Sequence, residues 1–180
     1  MTQNHILRKP PCNSENSVFE LLRCKDFKTG PSSHILRKEN SAKMSILQTC
    51  LARKNEVGAS AVLQSADQLT RKTLMENVDS DGLNALHYAA YYGCHKTLKL
   101  MLDDISQHEL PGEISRIFTE KDKNSFQNIL HYAASEGQVA CVELILKHVQ
   151  DKHEIKNELL QAMMSPSGNQ PIQGGFEKMS

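Results

Sequence analysis

A chain of 180 residues holds one domain with tails or is a piece of something larger, and this one is 39% hydrophobic, 5% aromatic and without tryptophan. That composition allows a modest core of Leu, Ile, Val and Ala. The formal net charge is zero, but residues 1–43 carry eight Lys/Arg against four Asp/Glu, and the remainder thirteen against seventeen. No apolar run approaches the roughly 18–20 residues of a membrane span, and Arg8-Lys9-Pro10-Pro11 stands where a signal peptide needs an apolar stretch. Cys12, Cys24, Cys50, Cys94 and Cys141 are scattered without a Cys-x-x-Cys pair, which argues against a disulfide framework or a zinc site. A soluble protein of a reducing compartment is expected, cytoplasmic and open to the nucleus, with no membrane insertion.

Residues 1–42 read as a disordered basic tail, rich in Asn, Ser, Lys and Pro and without long apolar periodicity. Val18-Phe19-Glu20-Leu21-Leu22 is a short exception. His5-Ile6-Leu7-Arg8-Lys9 recurs verbatim as His34-Ile35-Leu36-Arg37-Lys38, either a bivalent docking motif or a local duplication without function. Order is expected to begin near Ser41 to Ser45. Ile46, Leu47, Cys50 and Leu51 share a helical face, and a second helix over about 57–68 would bury Val57, Ala61, Val62 and Leu69. Residues 43–77 therefore read as a degenerate N-terminal capping unit.

Residues 78–121 open with Asp79-Ser80-Asp81-Gly82, a tight turn. An inner helix follows, packing Leu86, Ala89 and Ala90 and stopped by Gly93. The outer helix carries Leu98, Met101, Leu102 and Ile105, an i, i+3, i+4, i+7 stripe. Residues 122–164 repeat the plan: Leu86-His87-Tyr88-Ala89-Ala90 returns 44 residues later as Leu130-His131-Tyr132-Ala133-Ala134, then come Gly137, Val142, Ile145, Leu146 and Val149. Between the copies Pro111-Gly112 breaks the chain, and Ile114, Ile117 and Phe118 suggest a short helix tucked onto the stack. Leu159, Leu160 and Met163 suggest another after the second copy. Residues 165–180 read as a truncated third repeat and tail: Gly168 stands four before Ile172, as Gly82 does before Leu86, and Gly174-Gly175 then breaks the helix. Repeated helix–turn–helix units that bury their faces against one another predict an all-α solenoid of stacked helix pairs.

The units resemble ankyrin repeats, well over about 78–149 and weakly over about 45–75 and 165–173. The family's turn-and-helix signature falls on Asp79, Gly82, Leu86, His87, Ala89, Ala90 and Gly93, and again on Leu130, His131, Ala133, Ala134 and Gly137. The second copy puts Lys123 at the Asp position and Phe126 at the turn glycine. Asn84 and Asn128 replace Thr, and Ala85 and Ile129 replace Pro. The 44-residue period exceeds the ~33 of the class. The resemblance implies a non-enzymatic scaffold or adaptor that binds one or more proteins through its turn tips and concave inner-helix face. It implies no cofactor, metal or small-molecule substrate. The contact positions carried over are Ser80, Asp81, Leu83, Tyr91 and Tyr92, then Asn124, Ser125, Gln127, Ser135 and Glu136. Tyr91 and Tyr92 stand open between two roles, partner contact and packing against a neighbouring unit. His87 and His131 are implied to tie one turn to the next. The short stack suggests a truncated form of a longer ankyrin protein. In an alternative reading the basic tail with its duplicated strings docks an acidic protein or nucleic acid, although a nucleic-acid partner is not favoured.

Overall fold

The computed structural model describes residues 39–40, 42–108 and 111–164. Among them the chain forms nine helices and no strand: α1 Ile46–Ala52, α2 Glu56–Ser65, α3 Gln68–Glu76, α4 Ala85–Tyr92, α5 His95–His108, α6 Pro111–Thr119, α7 Ile129–Ser135, α8 Val139–His148 and α9 His153–Met164. They fall into three units of three. α1, α4 and α7 stack as an inner row, and α2, α5 and α8 as an outer row. The third helices make a further layer, α9 packing on α6, and α6 paired to α3 through Lys72–Glu113 and Arg116–Glu76. The expectation was helix pairs with tucked helices after the later two units; a third helix is present in all three.

Local chemistry starts and stops each inner helix in the same way. Capping boxes open them, formed by Ser45 with Gln48, Asn84 with His87, and Asn128 with His131. Each ends at a left-handed residue: Lys54 (φ 56°), Gly93 (φ 72°) and Gly137 (φ 65°). The following N–H then turns back onto the helix, from Asn55 to the Cys50 carbonyl, Cys94 to Ala89 and Gln138 to Ala133, at 2.9, 2.9 and 2.8 Å. Leu47, Leu86 and Leu130 stack in the buried centre, and Cys50, Ala89 and Ala133 are small enough to let the inner helices approach.

The first unit departs from the expected cap. It begins at Asn40, whose Oδ1 accepts from the Ala42 and Met44 N–H groups at 2.9 and 3.0 Å. Asp79 Oδ1 does the same for Asp81 and Leu83, both at 2.9 Å. Lys43 (φ 59°) takes the left-handed place of Gly82 (φ 84°). This is a full turn finger, built from other side chains. The expected helix over 57–68 is also corrected. Asp67 accepts from the Thr70 N–H and starts a new helix, α3, which buries Thr70, Leu74 and Met75. Leu69 and Val57 consequently face outward, 65% and 83% exposed.

In the second unit Leu98, Met101, Leu102 and Ile105 are all buried, as are Ile114, Ile117 and Phe118 of α6. In the third unit Ile145 and Val149 are buried, whereas Val142 and Leu146 are only partly so, since no described helix packs beyond α8. In α9 Leu159 is joined in the core by Ile155, not by Leu160. The tail over 1–38, its duplicated strings and the repeat opening over 165–173 lie outside the described residues.

The finger of the third unit is fully formed, with one correction. Its acid is Asp122, not Lys123. The buried Asp122 carboxylate accepts from the N–H groups of Asn124, Ser125 and Gln127 at 3.1, 2.8 and 2.6 Å. Its own N–H reaches the Gln127 carbonyl at 3.0 Å, closing a turn one residue longer than the Asp79–Leu83 turn. Phe126 (φ 54°) holds the left-handed place of Gly82.

Candidate protein interface

The fingers lock to one another and to the inner helices. The Lys123 N–H donates to the Asp81 carbonyl, and Asn124 Nδ2 to Asp81 Oδ1, both at 3.0 Å. The Ser80 N–H reaches the Ala42 carbonyl at 3.2 Å. Tyr88 Oη donates to Asp79 Oδ2 at 2.7 Å, fixing finger to helix. The His87 ring ties its own unit together: Nδ1 accepts from the Asn84 N–H of its own cap at 3.3 Å, and Nε2 lies 3.2 Å from the carbonyl of Glu120, just past α6. A carbonyl only accepts, so Nε2 carries the hydrogen. His131 Nδ1 likewise accepts from the Asn128 N–H at 3.3 Å.

Ser80, Asp81 and Asn124 are exposed on the fingers, and Ser135 and Glu136 at the end of α7. Ser125 and Gln127 are half-buried; the Ser125 hydroxyl holds Asp122 at 2.9 Å. Leu83 is corrected: it is 2% exposed, its side chain in the core and its carbonyl taken by Gln48, so it offers a partner nothing. Phe126 was not among the contact positions, yet it is 60% exposed on the third finger. Its sequence signal was the bulky residue at a glycine position.

All four tyrosines of the chain gather in one cluster. Tyr91 meets Tyr92 edge-on at 4.9 Å and Tyr132 at 6.0 Å; Tyr92 stacks with Tyr88 at 6.3 Å; His87 meets Tyr132 at 5.6 Å. Tyr88 and Tyr132 are buried, while Tyr91 and Tyr92 remain half-exposed. The pair therefore packs across the unit boundary and also presents ring surface. Burial first, then Glu136 among the nearby groups, holds both exposed phenols above their ordinary range. Burial pushes Tyr132 up to about 12, with Asp122, Asp79 and Asp81 adding to the rise.

Burial raises the Cys50, Cys94 and Cys141 thiols to about 11, 12 and 11, leaving them protonated and poor nucleophiles at neutral pH. Among the described residues no group of three or more His, Cys, Asp or Glu is placed to hold a metal ion, and no helix is long and apolar enough to cross a membrane. Two open grooves run between outer helices, about 620 Å³ beside Lys54, Val57 and Lys96, and about 360 Å³ beside Lys96, Lys99 and Lys147.

No curated protein matches the chain. A family model described as ankyrin repeats, in three copies, matches residues 12–158. Three fingers, three capping boxes and three left-handed helix stops account for that count within the described residues. Repeats of this kind are in general protein–protein interaction modules, and the chain belongs to the ankyrin-repeat family.

Proposed function

We propose that the protein is a non-enzymatic adaptor that binds a protein partner across the fingers and the adjoining ends of the inner helices. The observation that carries this reading is Phe126. A large apolar ring is held 60% exposed, on a backbone with φ 54° that glycine adopts without strain. Exposure and left-handed backbone both oppose stability, and such strain gathers where a surface serves a contact. Tyr91 and Tyr92, at the end of the second unit's inner helix, supply rigid aromatic area, good anchor material at an interface. The buried thiols fit a cytoplasmic or nuclear setting, which imaging of a tagged chain tests directly.

Proximity labelling followed by titration with the purified full chain tests the interface. Phe126→Ala with Tyr91→Ala and Tyr92→Ala is expected to weaken a direct partner about tenfold or more while helical content stays constant. Binding that survives these changes but is lost on deletion of residues 1–38 would move the function to the basic tail. Binding lost only with Lys96→Glu or Lys99→Glu would move it to the outer grooves.

A further inference from the structure

We infer that the partner segment is basic, and that an arginine or lysine of it lies over the Tyr91–Tyr92 pair and meets Glu136. This rests on the interface proposed above and names its chemistry. Tyr91 and Tyr92 turn partly exposed rings outward from a packed cluster, so their faces are fixed before anything binds. Glu136 is exposed at the end of α7, in the unit whose Tyr132 packs on Tyr91. Four acids, Asp79, Asp81, Asp122 and Glu136, act on the four phenols. Asp79 and Asp122 are spent inside their fingers, while Asp81 and Glu136 reach the surface. Fixed aromatic faces beside exposed carboxylates suit a cation, which the ring quadrupole and the acid attract together. The row also has a direction. Arg53, Tyr92 and Glu136 each directly precede the left-handed stop of their unit, so it runs from cation through aromatic to anion. A basic side chain is therefore drawn toward the third unit and repelled from the first.

The test is selection of a random displayed peptide library on the immobilised full chain, followed by titration of the enriched peptides. Enriched peptides are expected to share an Arg or Lys, to bind more weakly as salt rises, and to lose roughly three- to fivefold in affinity on Glu136→Gln. Tyr92→Phe should keep binding and Tyr92→Leu should weaken it, since leucine keeps apolar area without a ring face. Glu136→Gln alone carries the test if Tyr92→Leu lowers the thermal transition. Enriched peptides without a basic residue that are still lost on Tyr91→Ala with Tyr92→Ala would overturn the inference and leave the interface standing. Peptides indifferent to every variant of this face would overturn both. Failure of the selection to yield any peptide sensitive to Glu136→Gln also overturns it.

Discussion

Gln48 and His87, 39 residues apart, do the same structural work with different chemistry. The Gln48 Oε1 accepts from the Ser45 N–H at 2.7 Å, and its Nε2 donates to the Leu83 carbonyl of the next unit at 2.7 Å. His87 Nδ1 takes the Asn84 N–H at 3.3 Å, and Nε2 donates to the Glu120 carbonyl at 3.2 Å. Each closes its own helix cap and reaches the end of its unit's third helix, since Gln48 Nε2 also donates to the Asn77 carbonyl at 3.1 Å as His87 does to Glu120; Gln48 adds a bond into the next unit at Leu83. Gln48→Leu should thus strand the Ser45 N–H and leave the Leu83 carbonyl with the Asp79 N–H alone, costing about 1–3 kcal/mol in urea unfolding. Gln48→His should recover part of that loss. A Leu variant as stable as the parent would show that the shared geometry carries no energy.

The histidine brings a pH dependence that glutamine lacks. Burial first lowers His87 from 6.5 to about 4, against Asp122 and the Glu120 and Gln127 backbone, which act to raise it. The folded value lies below the unfolded one, so the unfolded chain takes the proton first as pH falls. The contribution is complete above about pH 6.5 and is lost progressively toward pH 4. Stability should drop by ~2–3 kcal/mol between pH 7.5 and 4.5 from this group. His87→Gln, copied from the first unit, should flatten that part of the profile. An unchanged slope in the variant would assign the acid sensitivity elsewhere.

Gly93 of the second unit lies against the Gln138 side chain of the third. With φ at 72°, it is also so close to the Gln138 side chain that an added Cβ would overlap Oε1. Gln138 Nε2 in turn donates to the Tyr91 carbonyl at 3.4 Å. Gly93→Ala should destabilise by about 2 kcal/mol, combining left-handed strain with the clash. Adding Gln138→Ala should return the clash portion only. Additive losses in the double mutant would contradict the contact.

Leu86→Asp or Leu130→Asp should abolish cooperative folding. Both positions are at most 2% exposed in the inner row, where a carboxylate finds no partner. Thermal melting followed by circular dichroism decides it, and a sharp transition near the parental temperature would refute the stacking.

Phe126→Gly should behave in the opposite sense. It removes the left-handed strain of a non-glycine residue, worth ~1 kcal/mol, less the added freedom of the unfolded chain. The transition should stay level or rise while partner affinity falls. Loss of stability would mean that the ring packs more than its 60% exposure indicates.

The two later units were legible because Leu-His-Tyr-Ala-Ala and a stop glycine mark them in plain letters. The first unit was only half visible. It keeps the spacing and the leucine, Leu47 for Leu86, but replaces the polar and glycine markers: Asn40 for Asp79, Lys43 for Gly82, Gln48 for His87, and Lys54 for Gly93. Lysine at two left-handed positions hides a turn from any reading that looks for glycine. Asp122 was misplaced by one residue because its turn is longer, and only the N–H bonds into its carboxylate reveal the register. Leu83 was given to the surface by family position, although its side chain is buried. α3 was missed because its apolar side chains are few and Leu69 points outward.

Among the described residues the ion pairs between units are not shared evenly. Arg71–Asp104, Lys72–Glu113 and Arg116–Glu76 all join the first unit to the second, while His148–Asp103 joins the second to the third. Partly exposed pairs are each worth under about 1 kcal/mol and fade as salt shortens the screening length. The seam between the first and second units thus adds more charge pairing to inner-helix packing like that of the next seam, and its strength follows ionic strength more closely. Rising salt should loosen amide protection in α1–α3 before it touches α7–α9, making the first unit the place where this short stack opens.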